Sequence, residues 1–351
     1  MKGIVLAGGK GSRLRPFTYS GAKQLVPIAN IPVLHFPVRQ LVSAGITEIA
    51  LVVGETEAQI RAEMGDGSQF GARFSYIRQD SPAGIAHGVL ICREFIGEDA
   101  FVLYLGDNVL VGGIEPLVRA FGASGADGSV VLRRVADPRA FGVAVMESER
   151  LVRVIEKPAE PPTDLAVIGV YAFRPVVFEV IAGQKPSARG ELEIADTING
   201  LLERGSRVDT TVTAEEWIDT GKMEDMLAAN RTILSTLDPA IAPEAEVNAK
   251  CDGMVRIEAG ASVVDCELRG PVAIGAGARL RGSRIGPNVA IGRECVVEAS
   301  SIEGSIVMEE TEIRDCPGIV DSMIGRFAHV CGAPAGARLT LGDHSRFEGG
   351  A

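Results

Sequence analysis

Apolar and polar positions alternate regularly over the first 110 residues. Short apolar runs rich in branched side chains have the length of strands, namely 3–7, 48–54, 73–79 and 101–107. Between them lie stretches with helical spacing, such as 34–45 and 84–96. This alternation predicts an α/β fold with a doubly wound, mostly parallel sheet. Ligands bind beyond the carboxyl ends of such strands, which places residues 8–13, 79–84 and 106–108 on one rim.

The pattern changes further along the chain. Strand-like runs continue into two amphipathic stretches at 192–205 and 222–234, which indicates an elaboration of the same domain. Beyond these stretches, apolar residues recur every six positions, as at Ile285, Ile291 and Val297. A period of six residues predicts a β-solenoid, in which each hexapeptide forms one side of a triangular coil.

These patterns divide the 351 residues into three parts. We expect an α/β domain over residues 1–237 and a hexapeptide-repeat domain over residues 251–351. Residues 238–250, rich in Pro, Ala and Glu, are expected to link the two.

Composition excludes several classes of partner. The net charge of −11 argues against binding to nucleic acid or to anionic membranes, because neither polyanion would be attracted by the overall field. The sequence has no apolar run of membrane-spanning length, so we expect a cytoplasmic protein. The six cysteines lie at least fifteen positions apart, which excludes a C-x-x-C metal pair and predicts buried, reduced thiols. Any bound anion must be met by local positive charge.

The opening segment MKGIVLAGGKGSRLRP joins an apolar strand to glycines and basic residues. It does not fit the Walker A loop, because Ile4 stands in place of the first glycine and Gly11 in place of the hydroxyl residue. It does not fit the dinucleotide fingerprint either, which would end on Leu14. What remains is a glycine turn whose N–H groups can approach a phosphate, with Arg13 and Lys23 near it in sequence.

This turn and seven further blocks resemble the signature of the sugar-1-phosphate nucleotidylyltransferase family. In order, the blocks are LAGGKGSRLRPFT (6–18) with KQLVPI (23–28), YIRQDSPAGIAHGV (76–89), YLGDN (104–108), FGVAV (141–145), VIEKP (154–158), AVIGVYAF (166–173), KPSARGELEIAD (185–196) and WIDTGKMEDMLAAN (217–230). The chain resembles most closely the long form of glucose-1-phosphate thymidylyltransferase. That resemblance implies a Rossmann-like nucleotidyltransferase catalytic domain followed by a left-handed β-helix.

The resemblance also implies a reaction. In this family the sugar 1-phosphate attacks the α-phosphorus of a nucleoside triphosphate in line, giving an NDP-sugar and pyrophosphate without a covalent enzyme intermediate. Such chemistry requires positioning and charge neutralisation rather than a nucleophilic side chain. The implied substrates are dTTP and glucose 1-phosphate, the implied cofactor is Mg²⁺, and the implied assembly is a homo-oligomer, either a dimer or a tetramer.

Roles for individual residues follow from the same resemblance. The implied nucleotide-binding residues are Leu6, Gly8, Gly9, Gly11, Gln79, Gly84 and Asp107. The implied sugar-phosphate residues are Gly142, Glu156, Lys157, Val167, Tyr171 and Arg189. The implied catalytic residues are Arg13, Lys23 and Asp107, and the implied magnesium ligands are Asp107 and Asp219. Strand alternation would turn Glu156 and Lys157 to opposite faces, so both can serve only if the strand ends or bulges there.

Alternatives remain open on the residues themselves. A side-chain amide such as that of Gln79 can pair with more than one base, so UTP or GTP is an alternative to dTTP. Ile168 stands where many members of the family have Thr, so an unusual sugar or cyclitol phosphate is an alternative acceptor. An acyltransferase in the solenoid would need a histidine base, for which the tail offers His329 and His344.

A non-catalytic regulatory subunit is a further alternative. Loss of one of the charged residues Arg13, Lys23, Asp107 or Asp219 would indicate such a subunit. All four are present, which favours the enzyme.

Overall fold

The computed structural model describes residues 1–350. The helices are α1 His35–Ser43, α2 Glu57–Met64, α3 Ile85–Leu90, α4 Arg93–Ile96, α5 Glu115–Ala123, α6 Val177–Gly183, α7 Ile194–Glu203 and α8 Met223–Thr236. Short 3₁₀ turns lie at Ser12–Leu14, Phe17–Tyr19, Lys23–Leu25, Ser68–Phe70 and Pro138–Ala140.

The strands fall into two runs along the chain. The first run is β1 Lys2–Leu6, β2 Pro27–Ile28, β3 Ile31–Pro32, β4 Glu48–Val53, β5 Arg73–Arg78, β6 Phe101–Leu105, β7 Asn108–Leu110, β8 Gly128–Arg134, β9 Gly142–Glu147, β10 Arg150–Glu156, β11 Leu165–Phe173, β12 Val208–Thr213 and β13 Trp217–Asp219. The second run is β14 Ala240–Ile241, β15 Glu246–Asp252, β16 Val255–Ile257, β17 Ser262–Arg269, β18 Val272–Ile274, β19 Arg279–Arg281, β20 Arg284–Ile285, β21 Val289–Ile291, β22 Val296–Glu298, β23 Ser301–Glu303, β24 Ile306–Val307, β25 Glu312–Arg314, β26 Ile319–Val320, β27 Met323–Ile324, β28 His329–Cys331, β29 Thr340–Leu341 and β30 Arg346–Glu348.

The chain packs as two compact units. The first contains residues 1–9 and 34–217, and the second contains residues 10–33 and the described chain from residue 218 onward. Besides the solenoid, the second unit therefore includes the segment 10–33 and helix α8. This division by packing does not coincide with the boundary at residue 237, which stays a prediction about the folding domains.

The main sheet of the first unit has a parallel half. Strand order is β10-β9-β11-β6-β1-β4-β5, with β8 pairing with β11 and β12. β1 pairs in parallel with β4 and β6, and β4 pairs in parallel with β5. β11 runs antiparallel to β6, β8 and β9. The Rossmann-like α/β class predicted from the sequence is confirmed.

Continuous apolar runs form the centre of this sheet. All residues from Ile49 to Val53 and from Phe101 to Tyr104 are fully buried, as expected for parallel strands covered on both faces. The last residue of β1, Leu6, is in register with Val52 of β4 and Leu105 of β6. The carboxyl ends of these strands therefore lie side by side, and the loops that leave them share one rim.

The second unit contains a parallel β-helix. One of its sheets has the order β14-β16-β18-β21-β24-β27-β29, and all of these neighbours pair in parallel. Branched residues repeat in register through successive coils, as in the buried column Ile257, Ile274, Ile291, Val307 and Ile324. The six-residue period therefore predicted the solenoid correctly, because each inward position recurs once per side.

One outward face of the β-helix is also buried. Ala273, Ala290, Ile306 and Met323 occupy one column of paired strands and are at most 3% exposed. They lie outside the solenoid core, and helix α8 accounts for part of their cover. Contacts along this helix include an Arg231–Asp321 ion pair of 3.4 Å and a hydrogen bond of 3.0 Å from Thr340 to the Met223 sulfur.

The cysteines differ in part from the expectation. Cys92, Cys266, Cys295 and Cys316 are buried free thiols. Cys251 and Cys331 are free but exposed, because they occupy outward positions of solenoid strands, so the prediction that the thiols are buried was wrong for these two. Burial raises the pKa of Cys92 and of Cys295 to about 12, which keeps both protonated. No helix in residues 1–350 combines the length and apolarity that crossing a bilayer requires.

Candidate active site

Close backbone approaches form the rim of the first unit. β1 ends at Leu6, and Gly8 lies in the loop that follows. A Cβ on Gly8 would lie 3.4 Å from the nitrogen of Gly54 and 3.7 Å from Oε1 of Gln79. A Cβ on Gly106 would lie only 2.7 Å from the Leu6 carbonyl oxygen. A side chain on Gly106 would therefore push the loop away from Leu6, whose carbonyl oxygen accepts a hydrogen bond of 2.9 Å from the Gly106 N–H. Gly9 follows and is exposed.

Asp107 follows Gly106 in a polar network. Its Oδ1 accepts a hydrogen bond of 2.8 Å from Nδ2 of Asn108. Oδ1 of Asn108 in turn accepts from the indole Nε1–H of Trp217 at 2.7 Å. Asn108 is buried, so this network holds the turn that carries Asp107 in one geometry.

Gln79 is oriented from two sides. Its Nε2 donates to the carbonyl oxygen of Gly84 at 3.2 Å and lies 2.9 Å from Nδ1 of His87. Both amide hydrogens are thus used within the protein, which makes His87 Nδ1 an acceptor. The sequence analysis did not identify His87. A polar residue in the first turn of the helix after Gly84 was its only signal.

Gly84 has a conformation that requires glycine. Its φ is +100°, and an added Cβ would collide with the Leu192 backbone, 2.7 Å from the nitrogen. This contact brings the loop before α3 against the loop before α7. The Gly84 carbonyl that orients Gln79 is fixed by the same contact.

Glu156 and Lys157 come together at the end of a strand. β10 ends at Glu156, and Lys157 has a left-handed φ of +43°. The strand alternation is broken there, so Nζ of Lys157 reaches 3.1 Å from Oε1 of Glu156. Gly142 and Val167 adjoin this pair, since a Cβ on Gly142 would lie 3.5 Å from Oε2 of Glu156 and 3.8 Å from Cβ of Val167.

Arg189 joins the same cluster. Its Nη2 lies 3.1 Å from Oε1 of Glu156 and 2.8 Å from Oε1 of Glu193. Glu193 is buried and also accepts a hydrogen bond of 2.7 Å from Ser187. The sequence analysis missed Glu193, whose signal was an acidic residue immediately before the apolar start of α7. Burial and the nearby Glu156 carboxylate raise the pKa of Tyr171, so its phenol stays neutral.

Ile168 is fully buried. The influence of this position on the choice of acceptor stays a prediction.

The second unit brings together Arg13, Lys23 and Asp219. Lys23 is buried, with its Nζ 4.0 Å from Oδ1 of Asp219. A Cβ on Gly221 would lie 3.2 Å from Nη2 of Arg13 and 3.3 Å from Oδ2 of Asp219, so both charged groups border this glycine. Two cations thus adjoin one carboxylate, an arrangement suited to an anionic ligand that carries a metal ion.

Gly11 fixes the turn before Lys23. Its φ is +61°, and a Cβ would lie 2.7 Å from Cβ of Lys23. The hydroxyl of Thr18 donates to the Gly11 carbonyl oxygen at 2.8 Å. Gln24, beside Lys23, is only 2% exposed, and its Oε1 has no hydrogen-bond partner in the described chain. A buried acceptor of this kind is costly unless a ligand satisfies it, and the sequence analysis did not identify it.

The predicted residues thus form three groups. The rim group contains Leu6, Gly8, Gly9, Gln79, Gly84 and Asp107, the sugar-phosphate group contains Gly142, Glu156, Lys157, Val167, Tyr171 and Arg189, and the third group contains Gly11, Arg13, Lys23 and Asp219. The first two groups belong to the first unit and the third to the second unit. Residues 1–350 hold no cluster of three or more His, Cys, Asp or Glu side chains that could bind a metal by themselves.

Comparison with known proteins identifies the family. The family model for Nucleotidyl transferase matches residues 2–236. The chain is 46% identical to a glucose-1-phosphate thymidylyltransferase of Streptomyces griseus and 42% identical to one of Streptomyces antibioticus, over 99% of each chain in both cases.

A solved structure agrees with these relatives. It is assigned to a glucose-1-phosphate thymidylyltransferase from Bacillus anthracis in complex with sucrose, and it matches with 37% identity and a TM-score of 0.64. The match covers 69% of this chain and 98% of that one. The matched residues 2–236 include every predicted site residue, and the chain belongs to the nucleotidyl transferase family.

Proposed function

We propose that this chain transfers a thymidylyl group from dTTP to glucose 1-phosphate, giving dTDP-glucose and pyrophosphate. The observation that carries the proposal is the similarity to enzymes of that name over 99% of both chains. The grouping of Arg13, Lys23 and Asp219 beside a glycine turn supports it, because transfer of this kind needs fixed positive charge beside phosphate oxygens.

The basic residues of the third group act on the triphosphate. Backbone N–H groups of Gly8, Gly9 and Gly11 donate to phosphate oxygens, which bare glycine backbone can approach closely. Arg13 stabilises negative charge on the α-phosphate and on the departing pyrophosphate. Lys23, a compact point charge, neutralises an oxygen near the point of attack.

Gln79 selects the base through its side-chain oxygen, which accepts a hydrogen bond from a ring N–H. Because Gly84 and His87 engage its Nε2, its Oε1 is the group that faces a ligand. Thymine, uracil and guanine carry a ring N–H on their pairing edge, whereas cytosine and adenine carry a ring acceptor there. This polarity favours dTTP, UTP and GTP over CTP and ATP. A contact to the thymine methyl group, which uracil lacks, then favours binding of dTTP over UTP by about 1–3 kcal/mol.

The residues of the sugar-phosphate group supply both negative and positive charge. Glu156 accepts hydrogen bonds from sugar hydroxyls, and Lys157 and Arg189 neutralise the 1-phosphate. Glu193 holds the guanidinium of Arg189 from a buried position, so less side-chain freedom is lost on binding. The neutral phenol of Tyr171, together with Gly142 and Val167, shapes the pocket.

Mg²⁺ fits the available donors. Asp107 and Asp219 offer carboxylate oxygens, which this ion prefers, and it is usually held by one or two carboxylates together with substrate phosphates and water. A bound Mg²⁺ would supply charge neutralisation at the phosphates. The absence of a larger acidic cluster in residues 1–350 matches a site completed by the substrate.

The acceptor specificity is tested with a panel of sugar phosphates. The chain is incubated with dTTP, Mg²⁺ and one acceptor per reaction, namely glucose 1-phosphate, galactose 1-phosphate, glucosamine 1-phosphate or inositol 1-phosphate, and the product of each reaction is separated and quantified by chromatography. We expect the highest kcat/KM with glucose 1-phosphate and a product that co-elutes with dTDP-glucose. A higher kcat/KM with any other acceptor would reject glucose as the sugar. The predicted dimer or tetramer is checked separately by light scattering.

A further inference from the structure

The β-helix makes polar contacts with the segment that carries Arg13 and Lys23. Nδ2 of Asn30 donates to the carbonyl oxygen of Ile291 at 2.8 Å. The hydroxyl of Ser20 donates to Oδ2 of Asp343 at 2.7 Å. These contacts join residues more than 250 positions apart within the second unit.

Arg326 is the central residue of this contact. Its Nη2 donates to the carbonyl oxygen of Leu25 at 3.2 Å, two residues after Lys23. The same guanidinium lies 2.9 Å from Oε1 of Glu309 through Nε and 3.9 Å from Oδ2 of Asp343 through Nη1. Its side chain is three-quarters buried, and that of Asp343 is only 7% exposed. This is an internal network and not a solvated surface pair.

Leu25 ends the short turn that presents Lys23. Within this turn the N–H of Leu25 donates to the Ala22 carbonyl oxygen at 3.0 Å, and the N–H of Val26 donates to the Lys23 carbonyl oxygen at 3.2 Å. The Leu25 carbonyl oxygen points outward to Arg326. The planar guanidinium thus connects two solenoid carboxylates to the backbone of the turn, a geometry that an ammonium group does not reproduce.

We propose that Arg326 is a positioning residue for nucleotidyl transfer, through which the β-helix holds the Lys23 turn in its reactive geometry. The solenoid then contributes to turnover as well as to stability. This inference rests on the proposed function, because turnover is measured in that reaction. Small displacements of a charged group from a reacting phosphate can lower the rate by one to two orders of magnitude.

The chain offers a matched control in Arg293. Its Nε lies 2.7 Å from Oε2 of the same Glu309, but its side chain is 60% exposed and none of its hydrogen bonds or ion pairs in residues 1–350 reaches the segment 10–33. Arg293→Met and Arg326→Met each remove one arginine from Glu309, and only the second releases Leu25. Ser20→Ala tests the contact from the loop side, since it removes the donor to Asp343 without substituting a solenoid residue.

The experiment measures amide hydrogen exchange and steady-state kinetics on the full chain. In Arg326→Met we expect faster exchange in peptides covering 19–28 and a kcat about tenfold lower, with the KM for glucose 1-phosphate unchanged within twofold. In Arg293→Met we expect wild-type exchange and kcat. Ser20→Ala should show the exchange change in a weaker form, and it replaces Arg326→Met if that variant does not fold.

Two results would overturn the inference. The first is a rate of exchange over residues 19–28 that is the same in Arg326→Met as in Arg293→Met. If Arg326→Met does not fold, Ser20→Ala takes its place in this comparison. The other is faster exchange with an unchanged kcat. If the wild-type chain formed no product from any nucleotide, the proposed function would fail, whereas the exchange comparison would still decide whether Arg326 holds the turn.

Discussion

The charged residues proposed for this site differ in burial, since Lys23 is buried whereas Arg13, Lys157 and Arg189 are exposed. Lys23 is 5% exposed, and a buried ammonium is unfavourable unless an opposite charge or an anionic ligand compensates it. Asp219 at 4.0 Å supplies part of that compensation. Asp107 is held through Asn108 and Trp217 instead. The two predicted magnesium ligands therefore differ in their partners, since Asp219 lies beside a buried ammonium group and Asp107 accepts a hydrogen bond from a neutral side chain.

Asp107→Asn tests the metal assignment with the smaller structural cost. The amide keeps the size of the side chain but weakens binding of a divalent cation. We expect kcat to fall about a hundredfold, equivalent to roughly 2.7 kcal/mol, with little change in the melting temperature. Asp209→Asn, at an exposed pair with Arg207, is the control. Near wild-type turnover of Asp107→Asn across a Mg²⁺ titration would reject Asp107 as a ligand.

His87→Ala tests the orientation of Gln79. Without the acceptor on His87, the amide of Gln79 can turn and present Nε2 to the base. We expect the ratio of kcat/KM for dTTP to that for CTP to fall about tenfold, which corresponds to the loss of one hydrogen bond. An unchanged ratio would show that His87 does not set the base preference.

Among the secondary-structure elements, the periodic patterns of the sequence predicted those whose apolar positions recur at a fixed spacing. Uninterrupted apolar runs predicted the central strands, and the six-residue repeat predicted the β-helix. The sequence indicated that Glu156 and Lys157 could both serve only if the strand ended or bulged there, and the positive φ of Lys157 directly after the end of β10 is visible only in the structure. Alternation along a solenoid side places Cys331 outward, next to the inward Val330, so treating all six cysteines alike overlooked this pattern.

The residues that the sequence analysis missed share a physical reason. His87, Gln24 and Glu193 gain their roles from partners or from burial that no local period encodes. Glu193, for example, becomes a holding residue because Arg189 and Ser187 converge on it while it is buried. The roles of the residues named from the family blocks stay predictions, for which the contacts of Glu156 with Lys157 and Arg189 are support.

Gly84→Ala tests the loop before α3. Gly84 has a φ of +100° and a ψ of 170°, a region essentially restricted to glycine that costs other residues about 1–3 kcal/mol, and the collision with the Leu192 backbone adds to this cost. Gly45→Ala is a matched control, because Gly45 has a φ of +80° and no atom within 4 Å of an added Cβ. We expect Gly84→Ala to lose more stability in urea unfolding than Gly45→Ala and to raise the KM for dTTP. Equal losses and an unchanged KM would contradict the role of this contact.

At the scale of the whole molecule, the β-helix is packed into the second unit rather than appended to it. Helix α8 and the segment 10–33 belong to that unit, and a column of outward solenoid residues is buried. The matches to the relatives from Streptomyces cover 99% of this chain and therefore include residues of its β-helix. A solenoid that served only as a spine would not need contacts at Leu25, Ser20 and Asn30.

Deletion of residues 239–351 tests this view. It removes the partners of Ser20, Leu25 and Asn30 and uncovers apolar surface on α8. We expect the truncated chain to aggregate or change its oligomeric mass, and its soluble fraction to lose most of its activity. Light scattering and product formation measure the two effects. A truncated chain with native mass and activity would show that the β-helix serves neither assembly nor the Lys23 turn.

The most direct test of the central claim is pyrophosphate release from glucose 1-phosphate and Mg²⁺ with dTTP, UTP, GTP, CTP and ATP, each supplied separately. We predict the highest kcat/KM with dTTP, lower values with UTP and GTP, and the lowest values with CTP and ATP, because the role proposed for Gln79 is to present an acceptor to the base. Release with CTP or ATP above dTTP, or no release with any nucleotide, would contradict it.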